Sequence, residues 1–298
     1  MVARRWFFAY RACLSALVFC VGGVAQAQSP ITQVGELLAS DGQPSDWFGF
    51  SVAIDGDTAV VGTYTHQVDD KPLAGAAYVF VYDEGLRDWV EVQKLTISQP
   101  SGSEQFGFSV AIDEDTIVVG ANGEWHPPMG FEDEDMGAAY VFVREENGSW
   151  QQQQRLVAPD PNAFDMFGES VAVIGDTILV GARGVDNPEM GLSNTGAAYV
   201  FVSCGQSWCE EAELEASNPG QTDYFGSSVD LTEGPGLGEL TAVIGAPLDD
   251  VSGNADAGSA YVFTRSISGW RRRSSSPAGI LDQRITSAPQ SQWTVTPS

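Results

Sequence analysis

Carboxylates are the residues of this chain best placed to do chemistry. Asp and Glu number 40 against 14 Lys and Arg, for a formal charge of −26. Many cluster in short stretches: Asp69 with Asp70, Asp133 with Asp135, Asp186 with Glu189, and Asp249 with Asp250 and Asp256. A second set comprises Asp41, Asp46, Glu104, Asp160, Asp165 and Asp223. Such groups hold cations or basic partners, or serve as general acids and bases. Other chemistry is sparse. The histidines are His66 and His126. A serine follows each of four Phe-Gly pairs by two residues, at Ser51, Ser109, Ser170 and Ser228, and Gly168-Glu169-Ser170 is the closest approach to a nucleophile elbow. An elbow needs a strand-to-helix turn and a histidine base. Here the serine recurs inside a strand-like run, so it is expected to pack rather than react, and no enzyme is expected. A carboxylate-based hydrolase or lyase would need a polar cluster that breaks the repeat, and the sequence contains none.

The elements that position these groups are repeated. Phe-Gly, then Val-Gly or Ile-Gly, then a Gly-Ala/Ser-Ala-Tyr-Val-Phe run and a Trp recur from Phe48, Phe106, Phe167 and Phe225. Each copy holds four Val-, Ile-, Tyr- and Phe-rich runs bounded by turn residues, which predicts four antiparallel strands. In the first copy these are Ser51–Ile54, Ala59–Val61, Ala77–Val81 and Trp89–Leu95. The spacing from each fourth-strand Leu to the next Phe-Gly is constant, whereas the segment between strands 2 and 3 varies in length. That variable loop and the strand 4–1 loop should emerge on one end. A unit this small cannot bury its own apolar faces and must stack on its neighbours. The expected fold is all-β, a β-propeller with four four-stranded blades.

Residues 1–27 read as a signal peptide, with Arg4, Arg5 and Arg11 before an apolar stretch and Ala25-Gln26-Ala27 at its end. No later stretch is long and apolar enough to span a membrane. The expected location is therefore outside the cytoplasm: secreted, cell-surface or periplasmic. Removal of that segment leaves Cys204 and Cys209, five residues apart across a hairpin connection. An oxidising compartment favours a disulfide there, with two free thiols as the alternative. Residues 28–264 carry 6 bases against 39 acids. Such a surface repels nucleic acid and anionic lipid and attracts cations or basic partners.

The repeated phrase resembles the FG-GAP repeat of the integrin α-chain propeller and its bacterial relatives. The resemblance rests on Phe-Gly, Val-Val-Gly-Ala and Gly-Ala-Ala-Tyr-Val-Phe, and covers residues 37–263; the Gly-Ala-Pro itself survives at Gly245-Ala246-Pro247. It implies a closed ring and a ligand face built from the strand 2–3 and 4–1 loops. It also raises calcium, which related blades hold in an Asp-x-Asp-x-Asp-Gly loop. The matching turns here, Asp55-Gly56-Asp57, Asp113-Glu114-Asp115 and Gly175-Asp176, are short, and turn chemistry accounts for their acids. No cofactor is expected, with Ca²⁺ the one the resemblance leaves open.

Four blades left as an open arc would bare two apolar faces. The chain must therefore close as four blades, associate with another copy, or be a truncated form of a larger propeller. Glu36 to Ser40 reads as an orphan fourth strand. The last copy is expected to lose its own, because Arg271-Arg272-Arg273-Ser274 replaces the pattern and residues 271–298 read as a disordered or aberrant tail. With one choice of codons, a shifted frame over that stretch would spell Glu-Glu-Glu-Gln-Leu, one residue short of the usual spacing, as a frameshift would produce. The functional expectation is a non-enzymatic binding or adhesion module whose acidic loop face takes an extracellular protein, a polysaccharide or cations. The candidate residues are Asp69, Asp70, Trp125, Asp133, Asp135, Asp186, Asp249, Asp250 and Asp256, with Trp125 placed as an aromatic anchor in the longest loop. The alternative is a structural part of an extracellular assembly with no ligand of its own.

Overall fold

The computed structural model describes residues 35–98, 100–123, 136–234, 236, 238–266 and 269–272. The expected signal peptide, Trp125, Asp133, Asp135, His126 and the tail beyond 272 lie outside them. Every strand among the described residues lies within 37–298. No helix among the described residues is long and apolar enough to cross a membrane.

Among the described residues, sixteen strands form four antiparallel four-stranded sheets in sequence order. Blade one comprises β1 (Ser51–Asp55), β2 (Thr58–Thr63), β3 (Ala76–Asp83) and β4 (Asp88–Leu95). Blade two comprises β5 (Phe106–Asp113), β6 (Thr116–Ala121), β7 (Ala138–Arg144) and β8 (Trp150–Leu156). Blade three comprises β9 (Phe167–Ile174), β10 (Thr177–Ala182), β11 (Ala197–Ser203) and β12 (Trp208–Leu214). Blade four comprises β13 (Ser228–Glu233), β14 (Leu240–Ala246), β15 (Ser259–Ser266) and β16 (Gly269–Arg272). The blades are those of a β-propeller, and the first and last sheets do not close on each other. Packing joins consecutive blades, and first strands approach first strands (β1 to β5, β5 to β9, β9 to β13), so they lie innermost.

Two expectations need correction. The last copy keeps part of its fourth strand, because β16 pairs Phe263–Ser266 with Gly269–Arg272. Backbone pairing tolerates the change from acidic to basic side chains, since the exposed residues of a blade's outermost strand face water. Conversely, residues 37–40 are not a strand. Leu37 and Ala39 pack on Ala59, Val61, Tyr78 and Phe80 of blade one instead.

The seams between blades explain the repeated residues. In each blade the Phe of Phe-Gly meets the Tyr and Phe of its own third strand, as Phe106 meets Tyr140 and Phe142 at 5.5 and 5.9 Å between ring centres. The glycine of Val-Gly lets the next blade approach: a Cβ on Gly62, Gly120 or Gly181 would lie 2.0–2.1 Å from the carbonyl oxygen of Gly107, Gly168 or Gly226. The repeated serine closes the same contact. Ser51, Ser109 and Ser170 donate to those three carbonyls at 2.7, 2.8 and 2.8 Å. Their hydroxyls are structural, which accounts for the repetition that argued against a nucleophile.

Fourth strands lock the outer part of two seams. The Gln93 side-chain amide spans the backbone of Trp150, and Gln154 that of Trp208, each donating to the carbonyl and accepting from the N–H at 2.7–2.9 Å. Strand 4 of the first three blades carries a β-bulge, and in blades two and three the bulged residue adds a further contact. The bulged Gln153 accepts from Trp208 Nε1 at 2.8 Å, and the bulged Glu211 from Trp270 Nε1 at 3.0 Å. Blade one has Val92 at this position, and the buried Trp150 Nε1 has no partner. Glu211 also takes Arg265 at 2.7 Å, so the last seam is ionic where the others are neutral.

Candidate functional site

The loop end of the blades is built on one recurring backbone shape. Before each Phe-Gly, the residues three and one before the Phe have positive φ: Ser45 and Trp47, Ser103 and Gln105, Phe164 and Met166, Thr222 and Tyr224. The acid between them holds this bend. Asp46, Asp165 and Asp223 accept the backbone N–H of Gln43, Asn162 and Gly220 at 2.6–2.7 Å, and Glu104 accepts those of Ser101 and Gly102. These carboxylates act as loop clamps. Burial pushes the Asp165 carboxyl up to about 6, with the Asn162 N–H pulling the other way and the charges of Asp160 and Asp186 adding to the rise.

The strand 4–1 loop of one blade is stapled to the strand 2–3 loop of the blade before it. Ser103, Gln105 and Phe106 donate to Pro72, Leu73 and Ala74 at 2.9–3.0 Å, and Thr222, Tyr224 and Phe225 to Ser193, Asn194 and Thr195 at 2.9–3.2 Å. The two loop sets therefore share one end of the blades, as their order along the chain requires.

Blade one departs from the others at this end. His66, buried, sets Nδ1 2.8 Å from Asp46 Oδ2 and Nε2 2.7 Å from Lys94 Nζ. Lys94 in turn reaches Asp41 at 2.8 Å, and the Tyr78 hydroxyl donates to Asp41 at 2.5 Å. His66 therefore holds together four elements of blade one and exposes no ring nitrogen for general-base work. Beside this network an open cavity of about 1210 Å³ is lined by Gln43, Asp46, Trp47, Asp69, Asp70 and Leu73, among others.

Next to that cavity stand four aromatic rings. Tyr64 lies 5.6 Å from Trp47, 4.5 Å from Phe50 and 5.3 Å from Phe108, and Phe50 lies 5.0 Å from Phe108. Trp47 is 59% exposed and Phe50 46%. At the later blades a polar group stands in its place: Glu169 of blade three accepts from Asn122 of blade two at 2.7 Å and faces Arg183 at 3.4 Å, and Arg183 lies over the ring of Tyr224, just before blade four.

A family model of the FG-GAP repeat matches residues 31–80, 89–142, 150–201 and 208–263. The chain is an FG-GAP repeat protein. FG-GAP repeats on a propeller-like fold make it a binding or structural module, of a kind typical of extracellular proteins. No curated protein matches the sequence. Among solved structures, Sqt1 of Saccharomyces cerevisiae aligns at 12% identity and a TM-score of 0.41, over 74% of this chain and 44% of that one. The FG-GAP chain thus spans less than half the length of that protein.

Within the FG-GAP blades, the candidate acids separate into two groups. Asp186 and Asp250 accept backbone N–H groups of their own strand 2–3 loops, from Asn194 at 2.8 Å and Asp256 at 2.9 Å. Asp249 is buried and accepts the Tyr261 hydroxyl at 2.7 Å, the position His66 holds in blade one. Asp256 supplies a positive-φ corner. Asp69 and Asp70 form the two-residue tip between Val68 and Lys71, both with positive φ, and they line the cavity. The structure therefore brings Asp69 and Asp70 to one site and spreads Asp186, Asp249, Asp250 and Asp256 around the loop end as loop supports.

The short acidic turns between strands 1 and 2 also have structural partners. Asp55 accepts the N–H of Glu114 at 2.8 Å, and Asp113 that of Gly175 at 2.6 Å, each in the next blade's turn. No three His, Cys, Asp or Glu side chains converge as a metal-holding group among the described residues. Cys204 and Cys209 form a disulfide across the blade-three hairpin, with Cα atoms 5.9 Å apart.

Sequence reasoning missed Trp47, Phe50, Tyr64 and Phe108. Their signal was available as asymmetry: Phe50 and Phe108 align with Glu169 and Ser227, and Tyr64 with Asn122, Arg183 and Pro247.

Proposed function

We propose that this chain is a secreted or cell-surface binding module, without enzymatic activity, that takes an extracellular protein or polysaccharide on the loop end of blade one. The observation that carries the reading is the solvent-facing aromatic group Trp47, Phe50, Tyr64 and Phe108 beside the cavity lined by Asp69 and Asp70. Flat rings offer large contact area with few rotatable bonds, and sugar faces and cationic side chains both stack on them. The adjoining carboxylates and the Gln43 amide supply directional partners for hydroxyl or ammonium groups. The rest of the loop end supports the reading by contrast, since most of its acids are occupied by backbone N–H groups.

The test is binding of the full chain to immobilised polysaccharides and to extracellular proteins, neutral and basic, with Trp47→Ala and the double variant Asp69→Asn, Asp70→Asn alongside. Loss of a wild-type signal in both variants, with unchanged melting, is expected. Binding that survives both variants moves the site elsewhere. No binding across the panel favours a purely structural part of an assembly.

A further inference from the structure

Each seam in this molecule is written half in one blade and half in the next, and the two outer faces carry the two unused halves. On blade four, Gly245 meets no neighbouring backbone, whereas Gly62, Gly120 and Gly181 each meet the next blade's Phe-Gly. Ser228 is exposed, where Ser51, Ser109 and Ser170 donate across a seam. Val243 is 42% exposed, while Val60, Val118 and Leu179 at the same position are fully buried. On blade one, a Cβ on Gly49 would meet nothing, whereas on Gly107, Gly168 or Gly226 it would lie 2.2 Å from the carbonyl oxygen of Ala76, Ala138 or Ala197 in the preceding blade. Val52 and Ile54 are 70% and 65% exposed, whereas Val110 and Val171 at the Val52 position are buried and Ile112 and Val173 at the Ile54 position are half-buried.

The fourth strands fit the same way. Leu37 stands as far before Phe48 as Leu95 does before Phe106, and packs on blade one as Leu95 packs on blade two. Leu95 pairs with Ala77, whose counterpart in blade four is Ala260. Among the described residues β16 pairs with β15 only as far as Phe263, and none is paired on that side with Ala260. Charge agrees as well: the last strand of blade four carries Arg271 and Arg272, and that of blade one Asp88 and Glu91. Asp230 replaces the small Ala53, Ala111 and Ala172, and Leu231 N–H donates to it at 3.0 Å on its own strand.

We propose that a second copy of this chain covers these faces head to tail, blade four of each against blade one of the other, with Leu37 of each copy completing strand 4 of its partner. Both halves of the missing seam are present on every copy, so one contact type serves twice and the assembly closes by a two-fold axis. Two copies supply eight blades, the upper end of the usual propeller range, so a third copy has no place in the ring.

The mass of the full chain in solution, by sedimentation and light scattering over a wide concentration range, tests this together with Ile54→Arg and Val243→Arg. Both residues are exposed in a single copy, so each variant should fold; Ala260→Glu replaces Val243→Arg if that variant melts early. The wild type is expected at twice the chain mass and each variant at half the wild type's share of dimer or less. An equimolar mixture of the two variants should recover a two-chain particle, because one intact seam remains between them. A wild type that stays single at every concentration overturns the proposal. Dimers lost in Val243→Arg but kept in Ile54→Arg mean that like faces pair, which overturns the head-to-tail arrangement, and growth without limit overturns the closed ring.

Discussion

Replacing Gly120 with Ala should separate blades two and three, and the same change at Gly245 should do almost nothing. A Cβ on Gly120 would sit 2.1 Å from the Gly168 carbonyl oxygen and 2.1 Å from Ser109 Oγ. The carbonyl belongs to the next blade's backbone and must retreat by about 1 Å to reach ordinary contact, an overpacking strain of about 1–3 kcal/mol. The Ser109 hydroxyl must also turn away from Gly168, losing a 2.8 Å hydrogen bond worth about 1 kcal/mol. Reduced freedom of the unfolded chain offsets about 0.4–1 kcal/mol of this. The net loss is about 2–3 kcal/mol, or roughly 5–10 °C in melting temperature for a domain of this size. At Gly245 a Cβ meets chiefly Ser228 Oγ at 2.4 Å, a rotatable hydroxyl with no blade behind it, so the change should stay within about 0.5 kcal/mol. Urea and thermal unfolding of both variants, at concentrations low enough to keep chains apart, measure the difference. Equal losses at the two positions would refute the reasoning, because the effect would then belong to the strand and not to the seam.

Two further changes follow from side chains in the same blades. Val92→Gln places an amide at the bulge where Gln153 and Glu211 accept from the neighbouring indole, and so gives the unpartnered Trp150 Nε1 an acceptor; a gain of about 1 kcal/mol in urea unfolding is expected, and a loss would show that the bulges are not equivalent. Burial, then the charges of Glu215 and Asp160, push the Glu213 carboxyl up from 4.5 to about 7, against the pull of its Tyr199 hydrogen bond. The fold favours the protonated form, so this group costs no stability below its unfolded value near 4.5 and a growing amount as pH rises through about 7. Glu213→Gln should therefore melt higher than the wild type at pH 8 and together with it at pH 4; equal melting at pH 8 would contradict the assignment.

Much of the architecture was legible because the repeats constrain one another. The first, second and third strands of every blade were placed from recurring Ser-Val-Ala, Val-Val-Gly and Ala-Tyr-Val-Phe runs, and the structure pairs Ser51 with Gly62 and Gly62 with Ala77 accordingly. The fate of Ser170 was legible for the same reason, since a group present in every copy serves what every copy shares. The acids were harder to read. Asp46 and Asp69 look alike in a turn-rich stretch and both line the cavity, but Asp46 is held by a backbone N–H and by His66 while Asp69 sits at a loop tip. The sequence does not display hydrogen bonds between residues of one loop, so both were read as surface acids. The aromatic group escaped because its members come from two blades and three segments, each unremarkable alone. The last blade's fourth strand was missed because side-chain pattern marks an outer strand weakly, while the β15 backbone edge pairs with almost any sequence.

The clamped bends before each Phe-Gly have a consequence for how such a surface changes. The residue just before the Phe holds φ between 56° and 57° in all four blades, yet it is Trp47, Gln105, Met166 or Tyr224. Backbone and side chain are thus decoupled, with the acid fixing the one and leaving the other open. Where that side chain reaches solvent, at Trp47, Met166 and Tyr224 but not at the buried Gln105, the end of the molecule behaves as a display with three interchangeable letters on one constant frame, as a paratope does on an antibody. A new specificity then requires one substitution at a clamped corner and no redesign of the loop that carries it.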